Sequence, residues 1–156
     1  MEELKITAKI RVCDYNELNS VEKKLIDRAK EAVMRAYTPY SGFQVGAAVG
    51  LANQEIIAGS NQENVAFPSG LCAERTALFY ANSRFPDTAV DAIAVAAYTD
   101  GDFTDDPVSP CGACRQVILE TQNRYRHPVR MILYGKKMIY VIEQITDLLP
   151  LAFGTF

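Results

Sequence analysis

Two short stretches, Cys72-Ala73-Glu74 and Pro110-Cys111-Gly112-Ala113-Cys114, constrain this chain more than any other feature. Three thiols and a carboxylate in that order require two distant segments to meet at one point. Zinc held by three protein ligands keeps its fourth tetrahedral position for water, whose pKa falls from about 16 toward about 7. Glu74, with one residue between it and Cys72, is placed to move protons there. The two-residue gap between Cys111 and Cys114 puts both sulfurs on one side of a helix's first turn. Pro110 suits the entry to that helix, because it needs no amide partner there.

The order of a His or Cys, then x-Glu, then Pro-Cys-x-x-Cys is that of zinc deaminases, whose Glu is acid and base and not a ligand. A structural zinc site is the competing reading, and it requires four closed protein ligands. Only Cys13 remains to close it, in a polar-flanked N-terminal segment without a second ligand residue at metal spacing. Burial in the core is the expected role of Cys13. A disulfide framework is a second alternative. No signal peptide is read at the N-terminus and apolar residues are ample, which predicts a reduced, cytoplasmic protein.

A chain of 156 residues is long enough for one domain with a layered core. No apolar run approaches the roughly 18 residues of a membrane span. A net charge of −3 and a pI near 5.2 argue against a protein that tracks nucleic-acid phosphates. Lys23-Lys24 and Lys136-Lys137 read as solvated surface.

Periodicity predicts a helix capped by Ser20 and running through Tyr37, with Val21, Leu25, Ala29, Val33 and Ala36 on one face. Phe43 to Leu51 and Glu55 to Ser60 read as a hairpin about Ala52-Asn53-Gln54. A helix from Leu71 to Ser83, a buried strand from Ala89 to Tyr98 and a helix from Pro110 to Tyr125 follow. Thr99 to Ser109, with four aspartates, reads as a solvated loop. Strands from Val129 to Tyr134 and Met138 to Ile142 and a short helix from Glu143 to Leu149 complete the order αββαβαββα. That is a mixed sheet with helices on its faces.

Both cysteine motifs therefore open helices, whose free amides and positive dipole ends stabilise thiolates. Three thiolates leave a zinc site at −1, and bound hydroxide takes it to −2, so something must offset the charge. Arg75 and Arg115 each follow the last functional residue of a motif. One or both are candidates to donate hydrogen bonds to ligand sulfurs.

From about Val21 to Phe153 the chain resembles the small homotetrameric zinc-dependent cytidine deaminases. The resemblance is carried by Pro39-Tyr40-Ser41-Gly42-Phe43-Gln44-Val45-Gly46-Ala47-Ala48, Asn61-Gln62-Glu63-Asn64, Cys72 to Ala77, Ser109 to Val117 and Leu149-Pro150-Leu151-Ala152-Phe153. It implies a three-layer αβα cytidine-deaminase-like fold with a mixed five-stranded sheet. Residues 1–156 would form one domain, with 1–19 an extension beyond the likeness.

It also implies roles for individual residues. Cys72, Cys111 and Cys114 would bind one Zn2+ per chain. Glu74 would take a proton from water, protonate the pyrimidine ring nitrogen and later help ammonia leave. Asn61 and Glu63 would hold the ribose 3′-hydroxyl, Phe43 and Phe153 would pack on the base, and backbone groups of Ala73 and Ser109 would read its polar edge. Phe67 stands where relatives often have Tyr, and His127 matches nothing in the site.

The implied function is hydrolytic deamination of cytidine and deoxycytidine in pyrimidine salvage. The implied assembly is a homotetramer whose sites are shared between chains, with no nucleic-acid or membrane partner. The alternative is a deaminase of a related aminopyrimidine nucleoside or antibiotic. From a different class, a zinc-stabilised binding module would have no need of Glu74 beside its metal.

Overall fold

In the computed structural model, which describes residues 1–154, the first helix, α1 (Ser20–Val33), starts one residue earlier than a Ser20 cap would place it. Asn19 is the cap. Its side-chain oxygen accepts from the amides of Val21 and Glu22, both at 2.9 Å, and the Glu22 carboxylate returns a bond to the Asn19 amide. This reciprocal box satisfies donors that the first turn would otherwise leave unpaired. The helix ends at Val33, ahead of the expected Tyr37, as the backbone tightens into short turns through Ala36.

The five expected strands are present with ends shifted by a residue: β2 (Gln44–Leu51), β3 (Ile56–Ser60), β4 (Val90–Thr99), β6 (Arg130–Tyr134) and β7 (Ile139–Ile142). Two short strands join them, so the expected five-stranded sheet has seven strands among the described residues. β1 (Arg11–Cys13) pairs antiparallel with β7 and brings the N-terminal extension onto one edge. β5 (Asp102–Phe103) folds back on β4 from the aspartate-rich loop. At three and two residues, neither is long enough to show an alternating pattern. The expected closing helix is a single 3-10 turn, Ile145–Leu148.

Strand order is β1-β7-β6-β4-β2-β3, with β4 and β6 parallel and the other pairs antiparallel. Alternation along the strands divides the core. Ala47, Val49, Ile93, Val95, Met131 and Leu133 pack beneath α2 (Ala73–Arg84) and α3 (Gly112–Tyr125). Ala48, Ala92, Ala94, Ala96 and Ile132 face α1 on the other side. The result is the three-layer αβα arrangement. Small residues on β2 allow close layers: a Cβ at Gly46 would lie 2.0 Å from the Ala29 carbonyl oxygen. No helix among the described residues is long and apolar enough to cross a membrane.

This topology positions the site. β3 and β4 each pair antiparallel with β2, so they run the same way and end at the same edge of the sheet. The chain leaves β3 into α2 and leaves β4 into α3, so the N-termini of both helices converge on that edge. β2 runs the opposite way, which brings its own first residues, beside Phe43, to the same place. Carboxyl ends of strands flanked by helix N-termini are where open α/β sheets bind ligands.

Candidate active site

Cys72 is the N-cap of α2 and Cys111 the N-cap of α3, each in extended conformation immediately before helical backbone. Cys114 lies in the first turn of α3 and is fully buried. The Sγ atoms of Cys72 and Cys111 are 3.8 Å apart, and all three sulfurs lie within 4.8 Å of one another. Tetrahedral zinc with bonds of about 2.3 Å sets its sulfur ligands about 3.8 Å apart. Donor type, number and spacing therefore fit a three-thiolate zinc.

The fourth cysteine cannot close the site. Cys13 sits on β1 and packs into the α1 side of the sheet, away from α2 and α3. Burial pushes its thiol up from the ordinary value, as expected of a core cysteine. All four cysteines are free thiols.

Electrostatics at the cluster favour a first thiolate on Cys72. A hydrogen bond from Cys114 lowers the Cys72 thiol most, and the Arg75 guanidinium, 3.7 Å from its sulfur, lowers it further, to about 5. The same bond with Cys72, together with burial, holds the Cys114 proton on. Metal binding displaces such protons. Arg75 thus donates to the sulfur of Cys72. Its Nε is buried without a hydrogen-bond partner, so its donors are not exhausted.

Arg115 turns elsewhere. Its Nε donates to the Pro110 carbonyl at 2.9 Å and an Nη to the Leu148 carbonyl at 2.7 Å. The guanidinium braces the turn entering α3 against the 3-10 turn instead of bonding a sulfur. Its place on the helix circle directs it to the start of the C-terminal tail. The next residue, Gln116, donates to the Phe153 carbonyl at 2.9 Å.

Glu74 is buried in the first turn of α2 with only 4% of its surface exposed. Burial raises its carboxyl above the ordinary range, and the charge on Cys72 adds to this. A carboxyl that accepts protons more readily than usual, next to a cluster of thiols at metal spacing, is equipped for proton transfer.

A cleft of about 520 Å³ opens beside Cys72, lined by Tyr40, Ser41, Asn61, Glu63, Phe67 and Arg75 among others. That volume is in the range of small-molecule sites. The Glu63 carboxylate accepts from the Tyr40 amide at 2.9 Å, the Ser41 amide at 3.3 Å and the Ser41 hydroxyl. The Asn61 side chain accepts from the Val45 amide at 2.8 Å and donates to the Phe43 carbonyl at 2.9 Å. Both side chains therefore also fasten the segment entering β2. The sequence motifs contained these partners, but spacing alone did not reveal the bonds.

Phe43 is half-buried at that entry, Ala73 is fully buried as the first residue of α2, and Ser109 is exposed just before Pro110. Phe67 is largely exposed and meets Tyr40 edge to face, with ring centres 6.1 Å apart. Phe153 is 70% exposed on the tail and is not among the residues lining the cleft of its own chain. His127 pairs with Asp91 at 2.9 Å, away from the cluster.

Comparison with known proteins agrees with this geometry. The sequence model for the cytidine and deoxycytidylate deaminase zinc-binding region matches residues 19–127. A cytidine deaminase of Halalkalibacterium halodurans is 43% identical over 131 residues, which is 83% of this chain and 91% of that protein. One from Sporosarcina psychrophila is 45% identical over 134 residues, covering 85% and 90% of the two chains. The crystal structure of cytidine deaminase from Burkholderia pseudomallei superposes with a TM-score of 0.71 at 39% identity, covering 83% of this chain and 97% of that one. With three thiols at zinc spacing, a buried carboxyl beside them and these likenesses over most of its length, the chain belongs to the cytidine and deoxycytidylate deaminase zinc-binding family.

Proposed function

We propose that this protein deaminates cytidine and deoxycytidine hydrolytically, giving uridine or deoxyuridine and ammonia. The observation that carries the reading is the buried Glu74 carboxyl next to the Cys72, Cys111 and Cys114 cluster, at the end of a nucleoside-sized cleft. A structural metal site gains nothing from burying a carboxyl there, and burial of an unpaired charge is costly.

Cys72, Cys111 and Cys114 would hold one Zn2+ per chain, and when bound it would supply a water that ionises near neutral pH. Glu74 accepts a proton from the attacking water and delivers it to the pyrimidine ring nitrogen, making the amino-bearing carbon a better electrophile. It then takes the second proton from the hydroxyl added to that carbon and passes it to the amine as the C–N bond breaks and the carbonyl forms, so that water and cytidine balance uridine and ammonia. Arg75 offsets the excess negative charge of three thiolates through its bond to Cys72. The amides at the α2 and α3 N-termini act in the same direction.

Asn61 and Glu63 hold the sugar 3′-hydroxyl, Phe43 packs on the base, and the backbone at Ala73 and Ser109 reads its polar edge. A carboxylate at the 3′ position leaves no favourable place for a 3′-phosphate. With no basic track in a chain of net charge −3, this selects a free nucleoside over a polynucleotide. We further propose a cytoplasmic homotetramer in which Phe153 covers the base bound by another chain. Its exposure and its absence from the cleft of its own chain support that arrangement.

The direct test is loss of ultraviolet absorbance of cytidine, with zinc measured on the same sample. No turnover by protein carrying one zinc per chain would refute the proposal.

A further inference from the structure

The segment joining α1 to β2 presents the cleft with one hydroxyl whose direction is fixed from both sides. The Phe43 amide donates to Ser41 Oγ at 3.0 Å. Because that amide owns its proton, Ser41 Oγ must accept there, and its single proton is free to go the other way. It goes to Glu63 Oε1. Tyr40 and Ser41 amides meanwhile occupy Oε2. Gly42, at φ +66°, supplies the left-handed turn that lets Ser41 reach both partners.

A carboxylate offers about four lone-pair directions, and three donors here consume three. One direction remains for a ligand. We infer that Ser41 is a positioning residue that fixes the Glu63 carboxylate as the acceptor for a sugar hydroxyl. The inference rests on the nucleoside reading proposed above and deepens it, because it assigns the orientation of the sugar contact to a residue that does not itself touch the sugar.

The electrostatics agree. The Ser41 hydroxyl is the main cause holding the Glu63 carboxyl below the usual range, with the Tyr40 and Ser41 amides adding to it. Glu63 thus meets a ligand already charged and already aimed, and little ordering is left to do on binding. Asn61 steadies the other end of the same loop through Phe43 and Val45, so Ser41 Oγ has a rigid platform.

The test uses full-length, zinc-loaded protein with Ser41→Ala, Ser41→Cys and Ser41→Thr. Cytidine kinetics are read together with the inhibition constants of uridine and 3′-deoxyuridine, which differ only in the hydroxyl Glu63 would accept. Ser41→Ala should raise the cytidine KM and the uridine inhibition constant about tenfold, with kcat changed less than about threefold. The constant for 3′-deoxyuridine should move less than about twofold, since that ligand never made the contact. Ser41→Thr, which keeps the hydroxyl, should restore the cytidine KM to within about threefold, and Ser41→Cys, a weaker donor, should fall between.

Zinc stoichiometry on each variant confirms folding, and the Cys variant carries the test if the Ala variant does not fold. Equal weakening of both inhibitors would make Ser41 a general support of the loop and overturn the inference. So would an unchanged cytidine KM in Ser41→Ala. Turnover by the unsubstituted protein without a Ser41 effect sinks this inference alone, whereas absence of turnover sinks the nucleoside reading beneath it.

Discussion

Gly59, on β3, is where the sheet touches the helix that carries Cys72 and Glu74. A Cβ built there would lie 2.7 Å from the Ala77 amide nitrogen, 3.0 Å from its Cα and 3.1 Å from its Cβ. Ordinary contact begins near 3.4 Å, so α2 must give by about 0.7 Å, and the obstructing atoms are backbone that cannot rotate away. Overpacking of this kind costs about 1–3 kcal/mol, and the reduced freedom of the unfolded chain with Ala returns about 0.4–1 kcal/mol. Gly59→Ala should therefore destabilise by about 1–2 kcal/mol, lowering Tm by about 2–8 °C for a domain of this size.

The functional effect should exceed the stability effect. α2 would shift against α3, changing the 3.8 Å separation of Cys72 and Cys111 and the aim of Glu74. A misplacement of about 1 Å can cost about 10²-fold in rate, so a loss of about 10–100-fold in kcat is expected. Cytidine turnover, thermal unfolding and zinc release to a chelator would be measured together. Gly50→Ala is the matched control. Its Cβ would meet only the Leu25 Cδ atoms, at 3.1 and 3.3 Å, the far end of a flexible side chain on α1. That variant should keep turnover within about twofold and lose less than about 1 kcal/mol. Wild-type turnover and zinc retention in Gly59→Ala, or an equal loss of turnover in Gly50→Ala, would refute the claim that β3 sets the metal geometry.

Glu74→Gln should keep about one zinc per chain while turnover falls at least about 10²–10⁴-fold, because only proton transfer is removed; comparable activity would remove Glu74 from the mechanism. Cys72→Ala, Cys111→Ala and Cys114→Ala should each lose zinc and Cys13→Ala should retain it, so metal loss on changing Cys13 would contradict the three-ligand site. Cytidine and deoxycytidine should be consumed while cytosine, cytidine 3′-monophosphate and single-stranded DNA react poorly; efficient deamination of an oligonucleotide would count against the sugar grip at Asn61 and Glu63. Mixing Glu74→Gln with Phe153→Ala chains under reversible dissociation should recover activity, and verified hybrids without recovery would argue against shared sites.

The three clustered thiols and the buried carboxyl were legible without coordinates because their spacing is local: Cys-x-Glu and Cys-x-x-Cys bring their atoms together within a helical turn wherever such a helix lies. The five longer strands were legible because each carries an alternating or continuous apolar run. β1 and β5 were not, since two or three residues show no period and exist only where a neighbouring edge accepts them. Asn19 and Ser20 are both able to accept the first-turn amides, and backbone geometry made Asn19 the cap.

Arg115 and Arg75 show the same division. Each follows a motif at the same distance, yet one meets a thiolate and the other two carbonyls, because their directions depend on how α2 and α3 sit against the tail. The parallel course of β3 and β4, which sends two helix N-termini to one edge, is likewise a property of pairing between segments far apart in sequence. Sequence by itself determined which thiols and which carboxyl the candidate site would bring together. Tertiary structure alone decided that Cys13 lies across the sheet from the other cysteines, that Asn61 and Glu63 brace a loop as well as face a cleft, and that one serine hydroxyl aims a carboxylate. The physical reason is range: a side chain's chemistry travels with its residue, whereas its partners are set by long-range packing.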